Sequence, residues 1–238
     1  MLIDSVNQIG FSNVEDDEIS DEISDEISAV IYHSIIVSNL AYKVGKELGL
    51  SKERCYELAY AGILHDIGKI HLNKKLKMAR MGAGKRYKAE EMRYVRNHSI
   101  YSYNALKERD CSDYILDAVL YHHENFDGTG YPEGLNGNDI PQGARILRVC
   151  DVFSALVDRR IYREPLDIDS AVETMIDEVK NYDMKIFLAF QRVIHEDEME
   201  ILLSWIVEHN QNVEKRIEEK KQEKMRENRK RKVAKMLK

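Results

Sequence analysis

The chain has 238 residues, 43% hydrophobic and 33% charged, with a net charge of −6 from 36 Lys and Arg against 42 Asp and Glu. That length accommodates one domain with appendages, and three prolines among so many charges exclude a collagenous or low-complexity chain. The longest apolar run, residues 201–207, is interrupted by Ser204 and is too short to cross a bilayer. No basic start followed by an apolar stretch marks a signal peptide. Three scattered cysteines, Cys55, Cys111 and Cys150, fit a reducing compartment better than an oxidising one. A cytoplasmic protein without a membrane span is expected.

Charge is distributed unevenly. Residues 1–28 hold nine acids and no Lys or Arg, whereas residues 213–238 hold twelve basic side chains against five acids. This division predicts an acidic extension over residues 1–28, a globular domain over 29–210 and a basic tail over 211–238, helical or disordered. The acidic end repeats DEIS three times between Asp17 and Ser28. A period of four puts Ile19, Ile23 and Ile27 near one helical face, continuing through Val30 and Ile31. It reads as an amphipathic helix, with a frayed low-complexity run as the alternative. A calcium loop is rejected, because the glycine and spacing of that motif are missing.

Past residue 29 the pattern is helical. Ser51 is a candidate N-cap for a helix through Gly68, because Cys55, Leu58, Ala59, Gly62 and Ile63 recur at three- and four-residue spacing. Residues 88–108 and 112–124 read as two more helices, the second opening near Ser112. The Gly-, Pro- and Asn-rich stretch from Asp127 to Pro141 is a loop. A helix from Gln142 to Val157 follows, then two or three more to about Asn210. No segment shows sustained period-two alternation, so an all-α fold is expected.

Five of the eight histidines, His33, His65, His98, His122 and His123, fall beside carboxylates or in apolar helical contexts. His65 and Asp66 lie in the apolar stretch AYAGILHDIGKI, where an unpaired carboxylate is costly to bury. A metal ion removes that cost by taking imidazole and carboxylate as ligands. Neighbouring helical residues point about 100° apart, so His65 with Asp66 can grip one ion from two sides and His122 with His123 another. Lys69, three residues after Asp66, shares its face and can meet a phosphate oxygen. Any one helical histidine is more often a satisfied core or surface residue. The combination of HD, HH and single histidines with Asp151 points to a metal centre.

The stretches HDIGKI (His65–Ile70), His98, HHENFDGTGYPEGLNG (His122–Gly137), IPQGARILRVCD (Ile140–Asp151) and RRIYR (Arg159–Arg163) together resemble the HD-GYP domain. That family is a branch of the HD superfamily of metal-dependent phosphohydrolases and hydrolyses cyclic di-GMP. The resemblance covers roughly residues 29–195 and implies an all-α, HD-type helical bundle with charged N- and C-terminal extensions. It further implies two divalent ions, one held by His33, His65, Asp66 and Asp151, the other by His98, His122 and His123, with Asp66 bridging. Lys69 would contact the scissile phosphate. Gly130, Tyr131 and Pro132, with Gly128 before them, would pack beside the substrate. Arg160 and Arg163 would approach the dinucleotide phosphates. Two close cations turn a bridging water into hydroxide near neutral pH, and Lys69 adds positive charge where negative charge builds. Asp66 and Lys69 are therefore the expected catalytic residues. His/Asp ligation suits iron or manganese, with zinc as an alternative.

Three departures from the family pattern stand out. Ala29 occupies the position, one turn before His33, where some members have a Glu that recruits a third metal; two metals are expected. Residues 71–97 carry nine Lys or Arg and two acids, which reads either as a basic lid hinged at Gly82 and Gly84, with Lys85, Arg86 and Lys88 steering an anionic substrate, or as a solvated helix pair. Ile161 stands where the family often has proline. His71, His195 and His209 are expected to lie outside the chemistry. The alternatives are hydrolysis of another cyclic dinucleotide or nucleotide, or a signalling module that binds a cyclic dinucleotide with little turnover. Charged ends suit self-association into a homo-oligomer, and a tail without aromatics for base stacking argues against a nucleic-acid module.

Overall fold

The computed structural model describes residues 17–69, 95–159 and 164–236, and every regular element among them is helical. Eight α-helices follow in order: α1 Asp17–Glu47, α2 Lys52–Leu64, α3 His98–Lys107, α4 Asp113–Tyr121, α5 Gln142–Val157, α6 Ile168–Asp177, α7 Met184–Ile194 and α8 Glu200–Met236. Single 3₁₀ turns cover Gly137–Asp139, Val179–Asn181 and Asp197–Met199. The all-α expectation holds. The DEIS repeat is helical and runs without a break into the helix that carries His33.

The starts of the inner helices are set locally. Ser51 accepts from the Arg54 N–H, Ser112 from the Ile115 N–H and Asp167 from the Ser170 N–H, while Asp183 accepts from those of Lys185 and Ile186. Each cap satisfies backbone donors that the helix leaves orphaned. Helix α2 stops at Leu64 rather than running to Gly68. The next backbone bonds, Ile67 N to Leu64 O and Lys69 N to Asp66 O, span three residues instead of four. The chain therefore tightens at the HD pair.

Helix α5 lies in the core, with Ile146, Leu147, Val149, Cys150 and Phe153 fully buried. Around it pack α1 through Ile36, Val37, Leu40 and Val44, α4 through Ala118 and Val119, and α7 through Phe187 and Phe190. Two crossings depend on missing side chains. A β-carbon at Gly62 would stand 2.7 Å from Ser38 Cα, and one at Gly143 would stand 3.0 Å from Ala118 Cβ. Gly62 lets α2 lie directly on α1, and Gly143 lets α5 lie on α4.

Helix α8 packs on the body through its first turns. The Tyr32 hydroxyl donates to the Trp205 carbonyl at 3.2 Å, and the Tyr32 ring stacks on His209 at 3.4 Å between centroids. Asn210 closes the end of α5, donating to Val157 O at 2.8 Å and accepting from Arg159 N at 3.0 Å. No helix among the described residues is long and apolar enough to cross a membrane.

Candidate functional site

Five elements deliver one polar cluster into the apolar interior. His33 comes from α1, His65 and Asp66 from the turn after α2, His98 from the first residue of α3, His122 and His123 from the end of α4, and Asp151 from the middle of α5. All are buried except His123, which is half-buried. Asp66 lies at the centre: its Oδ2 is 3.4 Å from His65 Nε2 and 3.9 Å from His33 Nε2, while its Oδ1 is 3.2 Å from His98 Nε2. Asp151 Oδ1 is 3.0 Å from His33 Nε2 and 3.8 Å from His65 Nε2, and its Oδ2 is 3.8 Å from His123 Nδ1. His98 Nε2 lies 3.3 Å from His122 Nε2 and 3.0 Å from His123 Nε2.

Backbone carbonyls decide which ring nitrogens face inward. His65 Nδ1 lies 2.8 Å from Gly62 O, His98 Nδ1 2.5 Å from Val95 O and His122 Nδ1 2.6 Å from Val119 O. A carbonyl only accepts, so each Nδ1 carries the proton and each Nε2 turns a lone pair to the centre. His33 Nδ1 meets the Ser154 hydroxyl at 2.9 Å. Lone pairs facing one another at these distances repel unless a cation sits between them.

Within this cluster two buried atoms, His65 Nε2 and Asp66 Oδ1, are left without a hydrogen-bond partner. Orphaned buried polar atoms are destabilising by about 1–3 kcal/mol each. Two groups have their donor atoms within 4.8 Å of one another: His33, His65 and Asp66, and His98, His122 and His123. Ligands about 2.0–2.1 Å from one ion stand roughly 3.0–3.4 Å apart, the spacing seen from His98 to His122 and from His98 to His123. The donor set therefore fits divalent metal. Its protonation fits as well. Burial pushes the Asp66 and Asp151 carboxyls up, yet Lys69, His65 and His98 around Asp66, and His33, His123 and His65 around Asp151, hold both well below the usual carboxylate range. Burial pushes His65, His122 and His123 down toward the neutral form. Anionic carboxylates and neutral imidazoles are the metal-binding forms.

Other predicted residues lie beside the cluster. Lys69 Nζ lies 2.5 Å from Asp66 Oδ2 and is part-exposed. The Tyr131 ring stacks on His123, with centroids 4.7 Å apart, and Pro132 follows it half-exposed at the rim. Gly130 lies on the backbone after His123: a β-carbon there would stand 2.2 Å from Asn125 N and 2.5 Å from His123 O. Gly128 turns the loop at φ +81°. The side chain of Ala29, one turn before His33, is exposed and carries no ligand atom. Arg160, Arg163 and the proposed lid residues Lys85, Arg86 and Lys88 lie outside the described residues.

Several supporting residues have no reading in the sequence analysis above. Ser154 orients His33, Gly68 sets α3 against the HD turn, and Glu124 holds the Tyr131 loop by accepting from the N–H groups of Glu133 at 2.7 Å and Gly134 at 3.0 Å. Glu124 had a signal, its place directly after the histidine pair. Ser154 had a weaker one, three residues after Asp151 on the same helix face. Arg96, whose guanidinium lies 5.6 Å from the centre of the Tyr131 ring, had none beyond its charge.

Comparison with known proteins agrees with this architecture. A cyclic di-GMP phosphodiesterase of Pseudomonas aeruginosa is 33% identical over 168 residues, 68% of this chain and 38% of its own length. A 3′3′-cGAMP-specific phosphodiesterase of Vibrio cholerae is 34% identical over 149 residues, 62% of this chain and 33% of its own. The chain thus spans between a third and two fifths of the length of these relatives. Among solved structures, Bd1817, an HDG"Y"P protein from Bdellovibrio bacteriovorus, superposes with a TM-score of 0.55 at 19% identity, covering 70% of this chain and 53% of that one, a likeness of fold. The family model described as the HD domain matches residues 18–186, from the DEIS repeat to the start of α7, and this chain belongs to the HD domain family.

Proposed function

We propose that this chain is a metal-dependent phosphohydrolase that cleaves a phosphodiester bond of a cyclic dinucleotide, with cyclic di-GMP as its substrate. The observation that carries the reading is the shared carboxylate: Asp66 turns one oxygen toward His33 and His65 and the other toward His98. In this reading His33, His65, Asp66 and Asp151 hold one divalent ion and His98, His122 and His123 a second, joined through Asp66. Iron or manganese suits such donors, with zinc as the alternative. Ala29 offers no carboxylate for a third. Bound divalent ions would supply an activated water at neutral pH and neutralise phosphoryl oxygens.

The side chains do the rest. Lys69, part-exposed beside Asp66, presents its ammonium to a phosphate oxygen as negative charge builds there. Gly130, Tyr131 and Pro132 form a wall that keeps water from His123 and positions the dinucleotide. Arg160 and Arg163 bind its phosphates.

The test is anaerobic purification, metal analysis and parallel assays with cyclic di-GMP and 3′3′-cGAMP, with Asp66→Ala as control. Two metals per chain and cyclic di-GMP turnover lost in the variant are expected. Faster cleavage of 3′3′-cGAMP would reassign the substrate. Metal without turnover of either would leave a dinucleotide-binding module and refute the reaction.

A further inference from the structure

His123 is the least buried of the cluster residues, so the cluster meets solvent on its side. The Tyr131 ring lies there, stacked on His123 with centroids 4.7 Å apart. Two guanidinium groups act on Tyr131. Arg96, exposed and two residues before His98, stands 5.6 Å from the ring centre. Arg148 is half-buried on α5, three residues before Asp151 and on the same helix face. Burial, with the Asp151 charge, pushes the Tyr131 hydroxyl up, and the charges of Arg148 and Arg96 both oppose that rise.

Arg148 is held in place but not neutralised. Its Nε donates to Asn125 Oδ1 at 3.0 Å, and Asn125 Nδ2 donates to Thr129 Oγ1 at 2.9 Å. Thr129 in turn donates to Asp127 Oδ1 from its N–H at 3.0 Å and from its hydroxyl at 2.6 Å. The loop that carries Tyr131 therefore braces the guanidinium. Arginines on either side are paired, Arg145 with Asp183 at 2.5 Å and Arg159 with Glu164. Arg148 has no carboxylate partner among the described residues. With Nε engaged, its two terminal nitrogens form a planar fork that matches two oxygens of one phosphate. A second cation over the same tyrosine favours an anion there over the neutral edge of a base.

A cyclic dinucleotide carries two phosphates. When one lies over the cluster beside Lys69, the other stands across the ring of the ligand. We infer that Arg148 is a further substrate-binding residue, whose terminal N–H groups hold the phosphate that is not being cleaved, with Arg96 adding charge beside it. This rests on the phosphohydrolase reading above and adds to it a contact from α5.

The test compares cyclic di-GMP with the linear dinucleotide GpG, which keeps both guanines but has one phosphate. In Arg148→Ala the KM for cyclic di-GMP is expected to rise at least about tenfold, with metal content and kcat little changed. The inhibition constant of GpG against that turnover should change less than about twofold, because the lost partner is absent from GpG. Arg148→Lys, with the charge but not the fork, should recover part of the loss. Arg148→Gln keeps much of the side-chain volume and must show the same split should the alanine variant fail to fold. An unchanged KM overturns the inference. So does an equal loss for GpG, which would put Arg148 on a guanine or reduce it to a support for the loop. A chain that cleaves neither cyclic di-GMP nor 3′3′-cGAMP overturns the phosphohydrolase reading instead, and calorimetry with cyclic di-GMP then decides. Binding at least about tenfold weaker in Arg148→Ala upholds the phosphate contact. Equal affinity, or no binding by wild type, overturns it.

Discussion

Gly68 rests directly against His98. A β-carbon at Gly68 would stand 2.3 Å from the His98 carbonyl oxygen and 2.7 Å from Ser102 N, and the Gly68 N–H donates to Ser102 Oγ at 2.9 Å. This contact brings Asp66 Oδ1 within 3.2 Å of His98 Nε2 and so joins the two halves of the cluster. Gly68→Ala is expected to push α3 away, to lower thermal stability by about 1–3 kcal/mol and to lose metal from the His98 side first. Metal analysis with melting checks it; a fully loaded, equally stable variant would contradict the role.

The loop that carries Tyr131 depends on Gly130 and Glu124. Gly130→Ala places a methyl 2.2 Å from Asn125 N and is expected to lift Tyr131 off His123. It should raise KM far more than it changes metal content. Glu124→Gln keeps an acceptor for the Glu133 and Gly134 N–H groups, whereas Glu124→Ala removes it. The alanine variant should therefore be the worse of the two. Equal kinetics for the pair would show that these hydrogen bonds do not position the loop.

Ser154 lies 2.9 Å from His33 Nδ1 and 3.5 Å from the His33 carbonyl. By donating to the carbonyl it can accept from Nδ1–H, which leaves Nε2 for a metal. Ser154→Ala should weaken manganese binding by about 10–100-fold with little change in fold. Titration of the chelated protein checks this, and unchanged affinity would refute it.

His209 packs beneath Tyr32 and Trp205, and burial, aided by the Arg216 charge, pushes it down to about 4. An unfolded chain protonates histidine near 6.5. The folded chain refuses that proton until about 4, so the stability tied to this group is complete above 6.5 and falls as pH drops toward 4. His209→Gln should flatten the melting temperature between those limits relative to wild type. Parallel melting curves for the two proteins would contradict the assignment.

Helix boundaries were legible where a short polar side chain caps them. Ser51 and Ser112 start α2 and α4 as their sequence positions predict, and α5 spans Gln142–Val157 as read. The end of α2 was not legible. Its periodicity continues to Gly68, and only the docking of Gly68 on α3 accounts for the tight turn at His65 and Asp66.

The sequence alone determined the helical class, the charged ends and the residue types of the candidate metal centre, because periodicity, composition and the HD and HH pairs are local properties. Which nitrogen each histidine presents, which carboxylate is shared and which residues support them were decided by tertiary structure. His33 and Asp151 are 118 residues apart yet meet at 3.0 Å, and Ser154 reaches His33 only because α1 crosses α5. Such contacts follow from how helices pack, and helix spacing along a chain carries no record of which carbonyl or hydroxyl will face a given ring.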